Sequence, residues 1–410
     1  MPETITTIYF IYIFIGFYYL FLFALIYIPN RKKMFVTPEI TKEYSLSIVI
    51  PCYNGERDIA KTVESLLNSD YKGLKKIIVV DDCSTDNSYK IIKDLAKKYS
   101  KVLAVQTPKN TGNAAGAKNY GAKFADTDLI GFTDDDSFPQ KDAIRKMIGF
   151  FDDAKIGAVT SAVLVKNKNK FMEKLQAKEY KIIVFSRKLL SFVDAVYVTP
   201  GPLAIYRKSA FDEVGGFDES NMTEDIEITW HLISKGYVIQ MSTNSKVYTM
   251  VPNKFKAWLN QRIRWNIGGI QTIKKHKKAF LKRGMLGFFI LPFFISSWIL
   301  GLFGVALLIY RGLRRLLFYY LSTSYSVKAQ TAILTVRDIN LTPNVLVFFG
   351  VTLFILGAIY TILALVYSKE ENYSDFEPMN LLFYTFVYVM AYPLILLTSI
   401  YKFFRGKYNW

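Results

Sequence analysis

Apolar and polar positions along the chain fall into two patterns. Four stretches, 7–28, 286–310, 345–367 and 381–401, hold no charged residue. Each is long enough for a helix to cross a hydrocarbon layer of about 30 Å. Between the first two, residues 46–249 alternate short apolar runs with amphipathic ones. The pattern predicts strands over 46–50, 76–80, 102–106 and 129–133, and helices over 59–67, 85–99 and 114–125. In the second helix Ile91, Ile92, Leu95 and Ala96 fall at helical spacing. Strand and helix in this order belong to an α/β fold with a mainly parallel sheet. Ligands of such sheets bind beyond the strand C-terminal ends.

Four parts follow. Residues 1–33 are an N-terminal transmembrane helix and 34–250 a globular domain. Residues 251–285 form a connecting segment with amphipathic interface helices, and 286–410 a membrane region with an interfacial piece over 311–327. Arg31, Lys32 and Lys33 follow the first apolar stretch, and no small-residue cleavage site ends it. These features predict a retained anchor that leaves the globular domain on the cytosolic side of the cell membrane. Charges further on give a different count. Arg311, Arg314, Arg315, Lys328 and Arg337 favour the inside for 311–344, whereas Glu370, Glu371, Asp375 and Glu377 favour the outside for 369–380. A single crossing at 286–310 puts these segments on the opposite sides. That stretch contains Pro292, Ser296, Ser297, Gly301 and Gly304. A hairpin or re-entrant segment there and four straight crossings are both open. Lys274, Lys275, Lys277 and Lys278 precede 280–286 and Lys282 and Arg283 lie within it, as suits a segment on the head-group surface.

Composition narrows the class. The 410 residues are 51% hydrophobic, with 32 Phe and 28 Tyr. With the four apolar stretches this excludes an ordinary soluble protein, and the long mixed segment excludes a bare channel. The formal charge of +18 clusters beside the apolar stretches. It points to lipid head groups and away from nucleic acid, and nothing in the sequence calls for an obligate protein partner. Cys52 and Cys83 have no zinc-ligand spacing.

Polar residues gather where the strands end. Pro51, Cys52, Tyr53 and Asn54 follow the first strand. Asp81 to Asp86 follow the second, and Asp134, Asp135, Asp136 and Ser137 the fourth. Helix capping accounts for Ser84 or Thr85. Three consecutive carboxylates are costly to pack unless a cation sits among them. Asp134 and Asp136, two apart on one side of an extended segment, can share one divalent ion that neutralises a leaving diphosphate.

These residues resemble the membrane-embedded family 2 glycosyltransferases with a GT-A fold, the relatives of cellulose, hyaluronan, chitin and poly-N-acetylglucosamine synthases. The resemblance spans about 45–269. It rests on Ile50 to Asn54 with Glu56, on Val80 to Asp86, and on Thr133 to Asp136. Its most specific elements are Thr223, Glu224 and Asp225 followed by Gln261, Arg262, Ile263, Arg264 and Trp265. It implies an α/β GT-A domain with a Rossmann-like mixed sheet plus transmembrane helices. It also implies a nucleotide-diphospho-sugar as donor substrate, Mg2+ or Mn2+ as cofactor, and a saccharide or lipid acceptor at the bilayer. Pro51, Tyr53 and Glu56 are then expected at the base, and Asp82 at base or ribose. Asp134 and Asp136 are expected at the diphosphate and metal. Gln261, Arg264 and Trp265 are expected at the diphosphate and acceptor, and Gly201 and Pro202 at the acceptor. The catalytic set is Asp225, Glu224, Asp136 and Arg264, with Asp225 as general base.

The chemistry suits those roles. A leaving diphosphate needs a cation and a basic fork such as Arg264. An acceptor hydroxyl needs a base, and direct displacement inverts the anomeric carbon. Asp225 at the start of a helix is expected to be held in its charged form. The Gln-x-x-Arg-Trp pattern favours polysaccharide synthesis from a UDP-sugar. A single-transfer polyprenyl- or dolichyl-phosphate or glycolipid glycosyltransferase is the alternative. An inactive transferase-like transport or scaffold protein is the alternative of another class.

Overall fold

The first strand, β1 (Leu46–Cys52), is buried at every position, as a strand covered on both faces must be. It pairs in parallel with β2 (Leu74–Asp81), and β2 with β3 (Val102–Gln106). On its other side it pairs in parallel with β4 (Leu129–Phe132). Beyond β4 the sheet changes direction. With β5 (Ser137–Pro139), β6 (Ile156–Val165), β7 (Ala204–Arg207) and β8 (Val238–Thr249), the order is β3-β2-β1-β4-β7-β6-β8-β5. Strand β7 runs antiparallel to both β4 and β6, and β5 antiparallel to β8. The sheet is therefore mixed, with its parallel half where the sequence pattern places it. The computed structural model describes residues 3–282, 284–330, 345–368 and 377–406.

Thirteen α-helices surround the sheet among the described residues. They are α1 (Glu3–Asn30), α2 (Ile59–Leu67), α3 (Ser88–Lys98), α4 (Ala114–Ala122), α5 (Arg145–Ile148), α6 (Phe171–Ser191) and α7 (Lys208–Glu213). Then come α8 (Glu224–Ser234), α9 (Phe255–His276), α10 (Leu291–Ala329), α11 (Val345–Tyr367), α12 (Pro378–Phe383) and α13 (Val389–Phe404). Period-two alternation divides β1 between two cores. Ile48 and Ile50 pack with Ile59, Val63 and Leu66 of α2 and Ile92 of α3. Val49 packs on the other face with Ala115 and Ala117 of α4 and with Ile228 and Leu232 of α8. Helix α4 lies so close that a Cβ on Gly121 would meet Val49 Cγ1 at 2.5 Å and Val80 Cγ2 at 2.6 Å. Its run of Ala and Gly is what permits this approach.

Four helical spans are long and apolar enough to cross a membrane: Thr6–Lys33, Leu286–Ala329, Phe348–Tyr367 and Met379–Phe404. The hairpin reading of 286–310 is not what the chain does. A π turn, Leu286–Ile290, leads into the continuous 39-residue α10, and residues 311–327 extend the same helix. Pro292 directly follows the π turn, at the second position of α10. Gly301 lies against Pro393 of α13 and Gly304 against Tyr12 of α1, so these small residues serve helix packing. A 3-10 turn, Lys277–Ala279, precedes 280–286, and the π turn Leu286–Ile290 follows at its end. Arg283, Arg337, Glu370, Glu371 and Asp375, which entered the charge argument, lie outside the described residues.

Candidate active site

The loops after β1 and β2 interlock. Asn54 and Cys83 adopt left-handed backbone conformations, with φ of 55° and 58°, which turns both loops sharply at the strand ends. The Asn54 N–H donates to Ser84 Oγ at 3.0 Å, and Thr85 N–H donates to Asn54 Oδ1 at 2.8 Å. Glu56 Oε2 accepts from the Asn87 backbone and side chain at 3.0 and 2.9 Å. Pro51 is buried in the sheet, while Tyr53 and Glu56 are exposed at the loop surface. The buried Asp82 carboxylate accepts from Thr107 Oγ1, Thr111 N–H and Thr111 Oγ1 at 2.8–3.1 Å. It therefore also fixes the loop that leads into α4.

The acidic run after β4 splits two ways. Asp135 turns back toward the β1–α2 loop. Its carbonyl accepts from Thr62 Oγ1 at 2.7 Å, and its carboxylate lies against Gly55 and Cys52. Burial pushes its pKa up to about 7, with Asp136 and Asp134 adding to the effect. Asp136 accepts from Thr249 Oγ1 at 3.3 Å and Ser137 Oγ at 3.4 Å, and burial followed by Asp134 pushes it up to about 6. The Asp134 carboxylate lies against Gly201 and 3.6 Å from Lys118 Nζ. Beside Asp136 opens a cleft of about 600 Å³ lined by Arg57, Asp58, Lys170 and Lys254, among others. Among the described residues no group of three or more His, Cys, Asp or Glu is gathered as metal ligands. Asp134 and Asp136 nonetheless form an all-oxygen pair with surplus negative charge, which fits a hard divalent cation completed by water and phosphate oxygens.

Helix α8 carries the candidate base. Glu224 is buried and accepts from Lys118 Nζ at 2.8 Å. Burial opposes its charge, but Lys118 holds its carboxyl below the ordinary range. Asp225 is pushed the other way, up to about 7, by burial and then by Glu224, against the pull of Lys118. Two neighbouring carboxyls thus differ in protonation preference, as an acid–base pair of roles requires. The expectation that the helix start holds Asp225 charged fails. Among the described residues only the Ile226 N–H, at 2.9 Å, donates to its side chain, and burial beside Glu224 outweighs that bond. Thr199 and Thr229 donate to the Asp225 carbonyl at 3.3 and 2.6 Å and steady the turn.

Helix α9 brings the Gln261-to-Trp265 motif to α8. A Cβ on Gly268 would meet Thr223 Oγ1 at 2.1 Å, so only glycine permits this crossing. Arg264 is exposed, and its charge helps hold Glu224 ionised. Arg262, between Gln261 and Arg264, is buried: it donates to Gln261 Oε1 at 2.8 Å and lies over the Trp265 ring at 3.9 Å. Sequence reasoning missed Lys118 and the inward role of Arg262. The one signal for Lys118 was a single cation inside an Ala- and Gly-rich helix. His231, on α8, is half-buried and faces His276, with a ring distance of 6.2 Å.

The mixed sheet, the acidic strand end and the motif helix define a class. Residues 47–215 match the family described as Glycosyl transferase family 2, and the chain carries a domain of that family in the GT-A fold. The curated relatives include the Poly-beta-1,6-N-acetyl-D-glucosamine synthase of Staphylococcus epidermidis. It is 30% identical over 268 residues, 65% of this chain and 64% of the relative. The synthase of the same name from Staphylococcus aureus is 30% identical over 278 residues, 67% of this chain and 66% of its own length. The chain thus spans just under two thirds of these relatives. Among solved structures, a mannosyltransferase from Pyrobaculum calidifontis, in complex with GDP-Man and Mn2+, aligns with a TM-score of 0.60 at 18% identity. The alignment covers 97% of this chain and 99% of that one, and shows a common fold.

Proposed function

We propose that the protein is a membrane-embedded inverting glycosyltransferase. It moves a sugar from a nucleotide-diphosphate sugar, preferably a UDP-sugar, to a growing polysaccharide at the cytosolic membrane face. One observation carries the reading: Lys118 pairs with Glu224 and Asp134, leaving Asp225 as the carboxyl of that cluster with a pKa near neutrality. Asp225 takes the proton of the acceptor hydroxyl, whose oxygen attacks the anomeric carbon as the bond to the diphosphate oxygen breaks. The electron pair leaves with the nucleoside diphosphate, and Arg264 meets its charge. A Mg2+ or Mn2+ ion held by Asp134 and Asp136 would supply Lewis-acid neutralisation of the diphosphate. Pro51, Tyr53, Glu56 and Asp82 form the base and ribose end, and Gln261 and Trp265 line the path of diphosphate and acceptor. Polysaccharide as the product is supported by the two synthases and by the complete motif set.

The test uses the full chain in nanodiscs with Mn2+ and a panel of UDP- and GDP-sugars. Nucleotide release, product mass and anomeric configuration are measured. The expected result is one preferred donor, an inverted linkage and a product ladder. A product one sugar larger than its lipid acceptor selects single transfer instead. No turnover of any donor, with Asp225→Asn indistinguishable from the parent, sinks the enzyme reading.

A further inference from the structure

The fourth apolar helix runs through α12, a π turn (Tyr384–Tyr388) and α13. It touches the globular domain at its start, its middle and its end. At the start Glu377 pairs with Lys174 of α6 at 2.9 Å, and Phe383 meets Phe171 edge-on with ring centres 4.9 Å apart. In the middle the Tyr388 hydroxyl accepts from Trp258 Nε1 and the Tyr392 hydroxyl from Arg262 Nε, both on α9. Near the end Lys274 Nζ of α9 lies over the Phe403 ring at 6.0 Å. Residues 388, 392 and 403 thus follow 258, 262 and 274 in step, so the two helices run side by side in the same direction for about 22 Å. Helix α9 carries Lys256, Arg262, Arg264, Lys274 and Lys275. A helix so charged does not cross hydrocarbon, and one aligned with it does not cross either.

Helices α1, α10 and α11 are arranged differently. Tyr27 and Tyr367, at the C-terminal ends of α1 and α11, meet Phe185 of α6. Helix α10 meets Tyr197 and Trp230 through Phe294, in its first turn. Away from these ends the three pack on one another. Phe17 lies against Phe349, Tyr12 against Phe303, and Arg311 over the Tyr9 ring. Helices α1 and α11 therefore run parallel and α10 antiparallel to both, as three successive passages through a bilayer require.

The fourth helix keeps one face uncovered. Leu382, Phe386, Met390, Leu394, Leu397 and Tyr401 recur every three or four residues and are each about half exposed, while Tyr384, Tyr388, Ile395 and Ser399 between them are buried. The exposed row continues the apolar surface of the crossing helices. Phe386 stacks on Phe354 of α11 with ring centres 5.4 Å apart, and Pro393 lies against Gly301 of α10. Lys402 and Arg405 at its end, with Lys277 and Lys278 just beyond α9, supply cations where head groups would sit.

We propose that residues 378–404 lie flat in the leaflet on the globular domain's side, with the row from Leu382 to Tyr401 against lipid acyl chains. That leaves α1, α10 and α11 as the crossings among the described residues, and residue 405 on the same side as the globular domain. Because Tyr388 and Tyr392 hold Trp258 and Arg262, this lipid-facing helix anchors the motif helix α9 at the membrane surface.

The test reconstitutes the full chain, in one orientation, in sealed vesicles of phosphatidylcholine and phosphatidylglycerol. Single cysteines are added, and each label is mapped to its residue by mass spectrometry. Lys93→Cys on α3 reports the globular domain's side, and Gln330→Cys at the end of α10 the far side. A membrane-impermeant maleimide should reach Arg405→Cys from the side of Lys93→Cys. Labelling from the side of Gln330→Cys overturns the proposal. Nitroxides at Leu382, Met390 and Leu397 then read depth. A flat helix gives the same shallow immersion at all three, with collisions by oxygen favoured over a water-soluble nickel chelate. A depth that passes through the bilayer midplane overturns it, as does nickel access equal to that of a nitroxide at Lys93. Low access to both oxygen and nickel means that protein covers the row, and that result removes the lipid face.

Discussion

Arg262 and Glu179 form a buried ion pair at 2.5 Å that joins the motif helix α9 to α6. The C-terminal membrane helices complete it. The Tyr388 hydroxyl donates to Glu179 Oε2 at 2.6 Å and itself accepts from Trp258 Nε1 at 2.6 Å. Tyr392 bonds the other Glu179 oxygen and accepts from Arg262 Nε at 3.0 Å. Because Arg262 also holds Gln261 and underlies Trp265, two of the motif's expected ligand-facing residues are set from the membrane side.

The first prediction concerns this pair. Removing one partner leaves a buried charge, so Arg262→Met or Glu179→Gln should each cost about 3–5 kcal/mol of stability. Thermal unfolding of the detergent-solubilised protein reads that loss. Tyr392→Phe keeps the ion pair and removes one hydrogen bond, for a cost of about 1 kcal/mol. Combining it with Glu179→Gln should give a non-additive result of more than about 0.5 kcal/mol. Strict additivity would show that the tyrosine is not part of the network.

Lys118 offers the second. It is fully buried between Glu224 and Asp134, and both carboxylates raise its pKa against the effect of burial. Lys118→Met removes the cation that lowers Asp225. The alkaline shift of the pH–rate profile should be visible as activity regained above pH 8, together with a loss of about tenfold or more at neutral pH. A uniform loss at every pH would make Lys118 a purely structural residue.

The third prediction follows from the Asp225 carboxyl. The base works ionised, so kcat/KM should rise with pH through about 7 and then level off. Stability moves the opposite way. A carboxyl whose pKa is raised in the folded state binds its proton more tightly there than in the unfolded chain. Its contribution is greatest at low pH and is lost as pH rises from the ordinary value of 3.8 to about 7. Asp225→Asn should therefore lose about 10²–10⁴-fold in rate yet unfold at a higher temperature than the parent at pH 8. A variant that is less stable at pH 8 would contradict the buried, raised carboxyl.

Much of this arrangement can be read along the chain, and the exceptions have physical causes. Helix α2 and strand β3 lie where their apolar periodicity places them, because each buries one regular face against a neighbour close in sequence. The acidic residues after β4 and the pair Glu224 and Asp225 are visible because strand ends and helix starts carry local signatures. Lys118 carries none: its partner Glu224 is 106 residues away, and only the packing of α4 beneath the sheet brings them together. Glu179 and Tyr392 are 213 residues apart, on a helix of the globular domain and a helix of the membrane region. Helix α10 misleads for the opposite reason. Its Pro and Gly are local breaker signals, and the contacts with Tyr12 and Pro393 that turn them into packing residues are long-range.

The final prediction separates the three consecutive aspartates. Asp134 and Asp136 are the proposed cation ligands, whereas Asp135 turns toward Gly55, Cys52 and Thr62. Three neighbouring carboxylates repel one another, which is why burial and mutual charge push Asp135 and Asp136 upward. A divalent ion at the pair removes that repulsion and should stabilise the folded protein. Mn2+ at a hundred times its Kd should add about 2.7 kcal/mol, read as a rise in Tm that EDTA reverses. Asp134→Asn and Asp136→Asn should each weaken that rise and lower nucleotide release at fixed Mn2+. Asp135→Asn should keep the Mn2+-dependent rise, since its side chain faces the β1–α2 loop. If Asp135→Asn abolishes the rise while Asp134→Asn leaves it intact, the cation sits on the other side of the strand end.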